Sequence, residues 1–137
     1  MTAAVEYAND EPNGLAVMIG GLLEGNLVAH PAREKLLRPG AVGIVASDAA
    51  VGLTLRFGPG TVTVANGITG DPDVIVRTDS TTLTELTAVP LRFGMPDPLT
   101  REGRAVTRKV LSGDLKVRGL LLHARTVSRL NRLLSVR

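Results

Sequence analysis

The sequence of 137 residues contains no cysteine and no tryptophan, and only three of its residues are aromatic. Without cysteine, disulfides, thiolate nucleophiles and cysteine-ligated metal centres are excluded. The shortage of aromatic side chains argues against a nucleic-acid surface on which bases stack, so we expect no nucleic-acid partner. Only His30 and His123 supply imidazoles. We therefore expect no bound metal, and we expect no cofactor because no glycine-rich phosphate-binding loop is present.

Long hydrophobic runs are also lacking. The longest uncharged apolar stretch, residues 14–23, is far below the roughly 18 residues that span a bilayer. The N-terminus has neither the basic nor the apolar region of a secretory signal, so we expect a cytoplasmic protein. The length and the 44% hydrophobic content fit one core. We assign residues 1–12, which are polar and unpatterned, to a loose N-terminal arm and residues 13–137 to a single domain.

The first patterned segment, residues 13–27, has apolar residues at helical spacing, and Asn13 is a suitable N-cap. Three glycines interrupt it, and each lowers the stability of a helix by about 1 kcal/mol relative to alanine. This suggests that another part of the chain closely approaches the helix backbone. The three are Gly20, Gly21 and Gly25. A second short helix is predicted over residues 31–37, after Pro31 and before the Pro39-Gly40 stop.

The middle of the chain changes to a period of two, which is typical of strands with one buried face. The links between the first three strands are so short that they allow only antiparallel hairpins. With a fifth strand near the C-terminus, the pattern predicts an α+β fold. We expect a five-stranded, largely antiparallel sheet covered on one face by helices, with the other face solvated. The predicted strands are residues 42–46, 51–57, 61–64, 74–79 and 115–118.

Between the strands, Ser80 is predicted to cap a helical turn that places Leu83 and Leu86 on one side. Thr100 is predicted to cap a helix that ends near Ser112, and the last helix is predicted over residues 119–136. Residues 88–100 are rich in proline and glycine, which exclude regular structure. Because this loop also carries apolar side chains, it is a candidate lid over a ligand. Those side chains are Leu91, Phe93 and Met95.

Charge is unevenly distributed. Residues 101–137 contain 10 Lys and Arg and 2 acidic residues, whereas residues 1–100 contain 6 and 11. Helical periodicity predicts two basic stripes that face either solvent, an acidic partner or an anionic membrane. On the helix predicted between Thr100 and Ser112, the stripe is Arg101, Arg104, Arg108 and Lys109. On the last helix it is Arg118, Arg125, Arg129 and Arg132.

A catalytic interpretation finds little support. No Gly-x-Ser-x-Gly motif and no metal-ligand spacing of histidines or acids is present. The acidic Asp71-Pro72-Asp73 is typical of a turn. We therefore expect that the protein is not an enzyme, and the remaining catalytic hypothesis is a small enzyme or accessory subunit that presents an acyl substrate.

Three sequence segments, taken in order, resemble the sterol carrier protein 2 sterol-binding domain family. They are residues 51–57 with 61–67, residues 71–79 followed by Leu83 and Leu86, and residues 112–119 leading into the terminal helix. The resemblance covers about residues 41–136. It implies a five-stranded sheet with helices on one side. It also implies a hydrophobic tunnel that holds sterols, fatty acyl chains or acyl-CoA and passes them between membranes or to enzymes.

The residues and the resemblance together predict an aliphatic pocket between sheet and helices, which a lipid would fill by removing apolar surface from water. Each predicted lining residue could equally be ordinary core. If the core is closed, the alternative is an interaction domain that docks an acidic partner or a membrane through its basic helices. The predicted ligand-binding residues are Leu53, Leu55, Phe57, Val62, Val64, Val74, Val76, Phe93, Met95, Leu115, Val117, Leu120, Ala124 and Val127.

Overall fold

Alternation of apolar and polar residues produces strands because successive side chains of a strand point to opposite faces. The computed structural model describes residues 4–88, 91–92, 95–120 and 122–135. In β4, for example, Val62 and Val64 are buried whereas Thr61 and Thr63 are half-buried. The described residues form the strands β1 (Ala4–Tyr7), β2 (Gly40–Ala46), β3 (Val51–Gly58), β4 (Thr61–Asn66), β5 (Val74–Thr78), β6 (Leu91–Arg92), β7 (Met95–Pro96) and β8 (Lys116–Arg118).

The main sheet is six-stranded and mixed, in the order β1-β4-β3-β2-β5-β8. The antiparallel meander of β2, β3 and β4 is confirmed. The prediction of five largely antiparallel strands is wrong, because β1 joins the sheet and because β1–β4 and β2–β5 pair in parallel. Alternation reveals a strand but not its direction, and only the short links of the meander determine a direction from the sequence.

The N-terminal segment differs from the expected loose arm over residues 4–7. These residues form the edge strand β1, in which Val5 pairs with Val62 and packs against the core. The N–H of Ala8 also donates to the carbonyl of Val64 over 2.9 Å. A strand of four residues is too short to show a pattern of its own, and β4 offers it an unpaired backbone edge.

The link from β4 to β5 crosses the outer face of the sheet. The hydroxyl of Thr54, which is fully buried, donates to the carbonyl of Gly67 over 2.8 Å and accepts from the N–H of Thr69 over 2.9 Å. A Cβ at Gly43 would lie 2.7 Å from the end of the Ile68 side chain. The outer face is therefore partly covered at its centre, where a fully solvated face was expected.

The helices are α1 (Gly14–Ala29), a 3₁₀ helix (Pro31–Leu36), α2 (Ser80–Ala88), α3 (Arg101–Ser112) and α4 (Ala124–Leu134). The predicted N-caps are confirmed at two helices, since Asn13 accepts from the N–H of Ala16 over 2.8 Å and Thr100 accepts from the N–H of Gly103 over 3.0 Å. Ser80 is not a cap. The preceding Asp79 accepts from the N–H of Thr82 over 2.7 Å, so α2 already begins at Ser80.

The last helix starts five residues later than predicted, at Ala124 after the N-cap residue His123, and Gly119 has a φ of 85°, which lies outside helical geometry. Arg118 consequently belongs to β8 and is not part of a stripe on α4. The region predicted to be irregular contains β6 and β7, which pair as a two-residue antiparallel ladder.

One hydrophobic core lies between the sheet and the helices. The inward side chains of β2 to β5 pack against α1, α2, α3 and α4, all on the same face of the sheet. α1 lies over β3 and β4, and α4 lies beside α1 and α2. Among the parts of the chain that the structure describes, no helix is both long enough and apolar enough to cross a membrane.

Candidate functional site

A small cavity lies where α2 and α4 meet over the sheet. Its volume is about 40 Å³, and seven of its nine lining residues are aliphatic. They come from five elements, so the cavity forms only when the whole domain is folded. The lining residues are Ile19, Ile44, Val76, Leu83, Leu86, Thr87, Leu130, Asn131 and Leu134.

Regular spacing brings these side chains together. Ile44 of β2 and Val76 of β5 are register partners, so their side chains lie beside each other on the inner face. On α2, Leu86 and Thr87 follow Leu83 by three and four residues and share one side of the helix. The inner wall is buried, whereas Leu86, Thr87, Asn131 and Leu134 are half-buried at the rim.

The size of the cavity limits what it can hold. A water molecule needs roughly 10–15 Å³, and a cavity of about 150 Å³ holds benzene. The observed volume of about 40 Å³ therefore accommodates a water molecule or a methyl group, but no sterol ring or extended acyl chain. A lipid could enter only if the walls moved apart.

The predicted lining residues fall into four groups. Val76 lines the cavity. Another group belongs to the filled core: Leu53, Leu55, Val62, Val64, Val74, Leu115 and Val127 are buried there, with Phe57, Val117 and Leu120 packed partly against them. Ala124 is exposed at the start of α4 and is not part of the buried core. Phe93 and the side chain of Met95 lie outside the described residues. The lid hypothesis concerns these residues and therefore stays a prediction. The binding roles of all these residues stay predictions.

Sequence reasoning misses most of the actual lining. Helical spacing identifies Leu83 and Leu86 as one side of a turn and Ile19 as part of the apolar face of α1, but it assigns none of them to the pocket. The helical spacing of Leu130 and Leu134 is a comparable signal. The predicted lining instead favours inward-facing strand residues, although α1 covers most of them directly.

Polar contacts attach the N-terminal half of α2. Both the hydroxyl and the N–H of Ser80 donate to the Asp48 carboxylate over 2.9 Å, and these hydrogen bonds lower the pKa of Asp48. The hydrogen bonds from Thr82, with the nearby Lys109 ammonium, lower the pKa of Asp79. Lys109 itself donates to the Thr82 hydroxyl over 2.6 Å.

The eight predicted basic residues do not form two continuous exposed stripes. Lys109 is paired with Glu85 at 3.4 Å, which is the only ion pair found between described residues. Arg129 is half-buried and donates to the Thr126 hydroxyl over 3.3 Å. The remaining six arginines are exposed: Arg101, Arg104, Arg108, Arg118, Arg125 and Arg132. Large apolar side chains are exposed in the same region, with 71% of Leu99, 81% of Leu111 and 88% of Leu122 accessible.

A larger depression of about 520 Å³ lies between the 3₁₀ helix and the β3–β4 turn. It is wide open to solvent, and its wall includes three prolines and the charged Glu34, Lys35 and Arg38. It therefore offers no enclosed apolar surface. No cluster of three or more potential metal ligands occurs among the described residues.

Comparisons with known proteins identify the fold. No protein-family model matches the sequence, and no curated protein matches it. A solved structure described as "UbiJ-SCP2 Ubiquinone synthesis protein" superposes with a TM-score of 0.62 at 22% identity, over 88% of this chain and 92% of that chain. A conserved protein of Thermus thermophilus, described as possibly a sterol carrier protein, gives a TM-score of 0.45 at 12% identity, over 97% of this chain and 92% of that one.

The second TM-score is too low to establish a shared fold, whereas the first superposition covers nearly the whole of both chains. It agrees with the layer arrangement described above, in which helices cover one face of the sheet. The resemblance seen in the sequence is thereby confirmed at the level of fold. The chain has the fold of the sterol carrier protein 2 domain.

Proposed function

We propose that this protein binds the apolar part of a lipid-like ligand in the cavity between α2, α4 and the sheet, without catalysing a reaction. The observation that carries the proposal is the cavity itself, an aliphatic recess at the sheet–helix interface with a half-buried rim. A non-catalytic role is supported by the lining, in which Thr87 and Asn131 are the polar side chains and none is ionisable.

Binding requires that the cavity open, and α2 is the wall best suited to move. Of its nine residues only Thr82 and Leu83 are buried. By contrast, α4 buries Val127, Leu130 and Leu133, and the buried amide of Asn26 in α1 donates to the carbonyl of Leu133 over 2.9 Å. An element with few buried apolar contacts separates at lower cost than one with many.

The free energies of burial favour opening of the cavity by an alkyl chain of moderate length. Exposing Leu83 and Leu86 costs about 1.5–3 kcal/mol each, whereas each buried CH₂ contributes about 0.8 kcal/mol. An alkyl chain of about ten carbons gains roughly 8 kcal/mol by this measure, which is more than the loss at the two leucines. We therefore propose that the described cavity is the closed form of a larger pocket.

Substitution of Leu83 by alanine tests the proposal. Leu83→Ala should reduce the free energy of unfolding by about 2–5 kcal/mol and should tighten binding of a fluorescent alkyl probe by roughly tenfold or more, because the lost leucine volume joins the cavity. The measurements are urea unfolding and fluorescence titration. Saturating ligand should restore part of the lost stability, since it binds the folded state alone.

The matched control is Leu53→Ala. Leu53 is fully buried on β3 but does not line the cavity, so its truncation should cost similar stability without improving binding. Equal gains in both variants, or no probe binding by either variant or by the parent protein, would contradict the proposal. Mass spectrometry of an organic extract of the purified protein then identifies the class of ligand.

The ligand panel follows from the fold and from its neighbour. It comprises a sterol, a fatty acid and an acyl-CoA, which the sequence resemblance implies. It also includes a prenylated quinone, because the neighbour is described as a ubiquinone synthesis protein. Transfer of ligand between membranes is part of the proposal and is measured by exchange between labelled and unlabelled vesicles. The cytoplasmic location expected from the sequence stays a prediction.

A second candidate function is docking at an anionic membrane surface. It is favoured by the six exposed arginines of the C-terminal region and by the exposed Leu99, Leu111 and Leu122. Arginine attracts anionic head groups, and exposed leucines enter the interface between head groups and acyl chains. An acidic protein would use the charges but not the leucines. This function needs no cavity, so it does not depend on opening of the core.

A further inference from the structure

We infer that the edge of the sheet at β8 binds an extended segment of another protein in which acidic and apolar residues alternate. The inference does not depend on the cavity or on a bound lipid. It rests on three exposed cations of the outer sheet face, Arg77 of β5 and Lys116 and Arg118 of β8. These three residues are called the outer cation cluster below.

The register of the strands brings the outer cation cluster together. Val76, whose side chain borders the cavity on the inner face, pairs with Val117. Because successive side chains of a strand alternate between faces, Arg77 and its register partner Lys116 lie side by side on the outer face. Arg118 lies on the same face, two residues farther along β8. This strand therefore presents two cations outward at a spacing of about 7 Å.

The pairing of Arg77 with Lys116 is unfavourable in the protein alone. Like charges directly opposite each other on one face of a sheet are destabilising. Among described residues, none of the three cations forms a side-chain hydrogen bond or an ion pair. The acidic residues just before the two strands make other contacts, since Asp73 accepts from a backbone N–H over 3.1 Å and Asp114 accepts from a serine hydroxyl over 2.9 Å. An acidic partner would relieve the repulsion between the two cations.

Protection of the sheet edge does not account for the cluster. Lysine on an edge strand prevents pairing with other chains, and this role would explain Lys116. Arg77, however, lies on β5, between β2 and β8, so it is not on an edge strand. Positions at which a sequence breaks a local rule are expected at functional sites. The like-charge pair therefore favours recognition of an anionic partner.

The backbone of β8 supplies the second element of recognition. β8 is the last strand of the sheet, so only one of its two edges pairs with a described strand. In the part of the chain that the structure describes, residues 116–118 make no backbone hydrogen bond outside the β5–β8 ladder. An extended segment added at such an edge gains main-chain hydrogen bonds, and its alternate side chains provide specificity.

The two faces of β8 specify the chemistry of the partner. Acidic side chains at positions i and i+2 of an added strand would lie beside Lys116 and Arg118 on the outer face. The residue between them would lie on the inner face beside Val117, which is half-buried and packs against the core, so an apolar side chain fits there. A second copy of this chain paired through β8 would instead place cations against cations.

Two labelled peptides test the inference on the full-length protein. Gly-Ser-Glu-Val-Glu-Val-Glu-Ser-Gly carries the alternating pattern. Gly-Ser-Glu-Glu-Glu-Val-Val-Ser-Gly has the same composition and charge, but it cannot direct two acids outward without placing a third beside Val117. By fluorescence polarisation, we expect the alternating peptide to bind more tightly by about threefold or more. It should also slow hydrogen exchange at amides of residues 116–118, because the added strand covers that edge.

Paired substitutions identify the cations that bind. Arg77→Gln combined with Lys116→Gln should weaken binding of the alternating peptide about three- to tenfold, through loss of two surface charge pairs. The matched control is Arg104→Gln combined with Arg108→Gln. It removes the same charge from exposed positions of α3, on the side of the sheet that the helices cover, and should leave the affinity nearly unchanged.

The repulsion is measured in the protein without peptide. Lys116→Gln should raise the urea midpoint of unfolding at low salt, because it removes the like charge opposite Arg77. The increase should disappear in about 1 M salt, where charges are screened. Arg118→Gln is the control, since Arg118 pairs with Ile75 and should change the midpoint less. If Lys116→Gln does not raise the midpoint, the electrostatic basis of the inference is wrong.

Four further results would overturn the inference. Equal binding of the two peptides, or binding of neither, would exclude strand addition. Equal losses in the cluster variant and in the α3 control would indicate attraction to net charge. Self-association of the protein in analytical ultracentrifugation that is lost in the cluster variant would assign the edge to a second copy. Binding to phosphatidylserine vesicles that is lost in the same variant, without peptide binding, would assign the cluster to a membrane.

Discussion

At the scale of single residues, two adjacent glycines of α1 have opposite surroundings. The ring and hydroxyl of Tyr7, from β1, lie against Gly20, so that a Cβ there would be 2.9 Å from Cζ and 3.0 Å from Cε1 of the ring. A Cβ at Gly21 or Gly25 would meet nothing within 4 Å. The close approach predicted for the glycines is therefore confirmed at Gly20 and wrong at the other two.

This difference predicts opposite effects of the same substitution. Gly21→Ala should raise the free energy of unfolding by up to about 1 kcal/mol, because alanine favours the helix and nothing obstructs its methyl group. Gly20→Ala should lower it, because the methyl group displaces the Tyr7 ring and weakens the contact between β1 and α1. Urea unfolding monitored by circular dichroism measures both changes.

Tyr7→Ala tests whether the Tyr7 ring is the reason that Gly20→Ala is destabilising. Without the ring, Gly20→Ala has no neighbour to displace, so in the Tyr7→Ala background it should become stabilising, like Gly21→Ala. Such a reversal of sign is a direct measure of the coupling between the two residues. If Gly20→Ala remains destabilising without the ring, the contact with β1 does not explain the glycine.

At the scale of elements, α2 depends on two carboxylates from outside its own helix. Asp48 accepts two hydrogen bonds from Ser80, and Asp79 caps the first turn through the N–H of Thr82. Both pKa values are lowered from 3.8 in the folded protein. A lowered pKa means that the charged form is stabilised by folding. The contribution of each carboxylate to the free energy of unfolding is therefore present above its unfolded pKa and is lost as the pH falls through its lower folded pKa.

We therefore expect α2 to loosen in acid. Asn at both positions cannot ionise, so Asp48→Asn combined with Asp79→Asn should be less stable than the parent protein at about pH 6, and the difference should shrink as the pH falls toward about 3. Melting temperatures of both proteins across this range provide the measurement. A difference that is constant with pH would show that the carboxylate charges do not hold α2 in place.

The elements themselves are predictable to different degrees. Asn13 and Thr100 mark the starts of α1 and α3 because capping is a local interaction. The strands β2 to β5 follow from alternation. The edge strand β1 and the parallel pairing of β2 with β5 depend on distant partners, and no local pattern in the sequence carries that information.

The cavity is less predictable than the strands that border it. The alternation of β3 and β4 correctly identifies inward side chains, but whether such a side chain meets another residue or a void depends on where the helices lie. α1 covers β3 and β4, so Leu53 and Val64 belong to filled core. Farther along the sheet, Val76 borders the cavity between α2 and α4. Helix placement is set by the whole fold and is not readable from one strand.

At the scale of the whole molecule, the charge is separated along the chain. Residues 101–137 have a strong excess of Lys and Arg, whereas residues 1–100 have an excess of acids. Acidic side chains elsewhere do not neutralise this excess, since Lys109–Glu85 is the only ion pair between described residues. Of the twelve residues of α3, only Gly103 and Val106 are buried. Its exposed surface therefore combines arginines with Leu111 beside them at its C-terminal end.

This surface predicts salt-sensitive binding to anionic vesicles. Each basic residue near such a membrane contributes about 1 kcal/mol, so Arg104→Gln combined with Arg108→Gln should weaken binding to phosphatidylserine vesicles by roughly tenfold or more at low salt. Lys35→Gln combined with Arg38→Gln removes the same charge from exposed positions near the 3₁₀ helix and should have a smaller effect. Binding measured by vesicle sedimentation should also weaken as salt shortens the screening length from about 10 Å at 0.1 M to about 3 Å at 1 M. Equal losses from the two pairs would indicate attraction to net charge alone, and binding that persists at high salt would exclude the arginines as its cause.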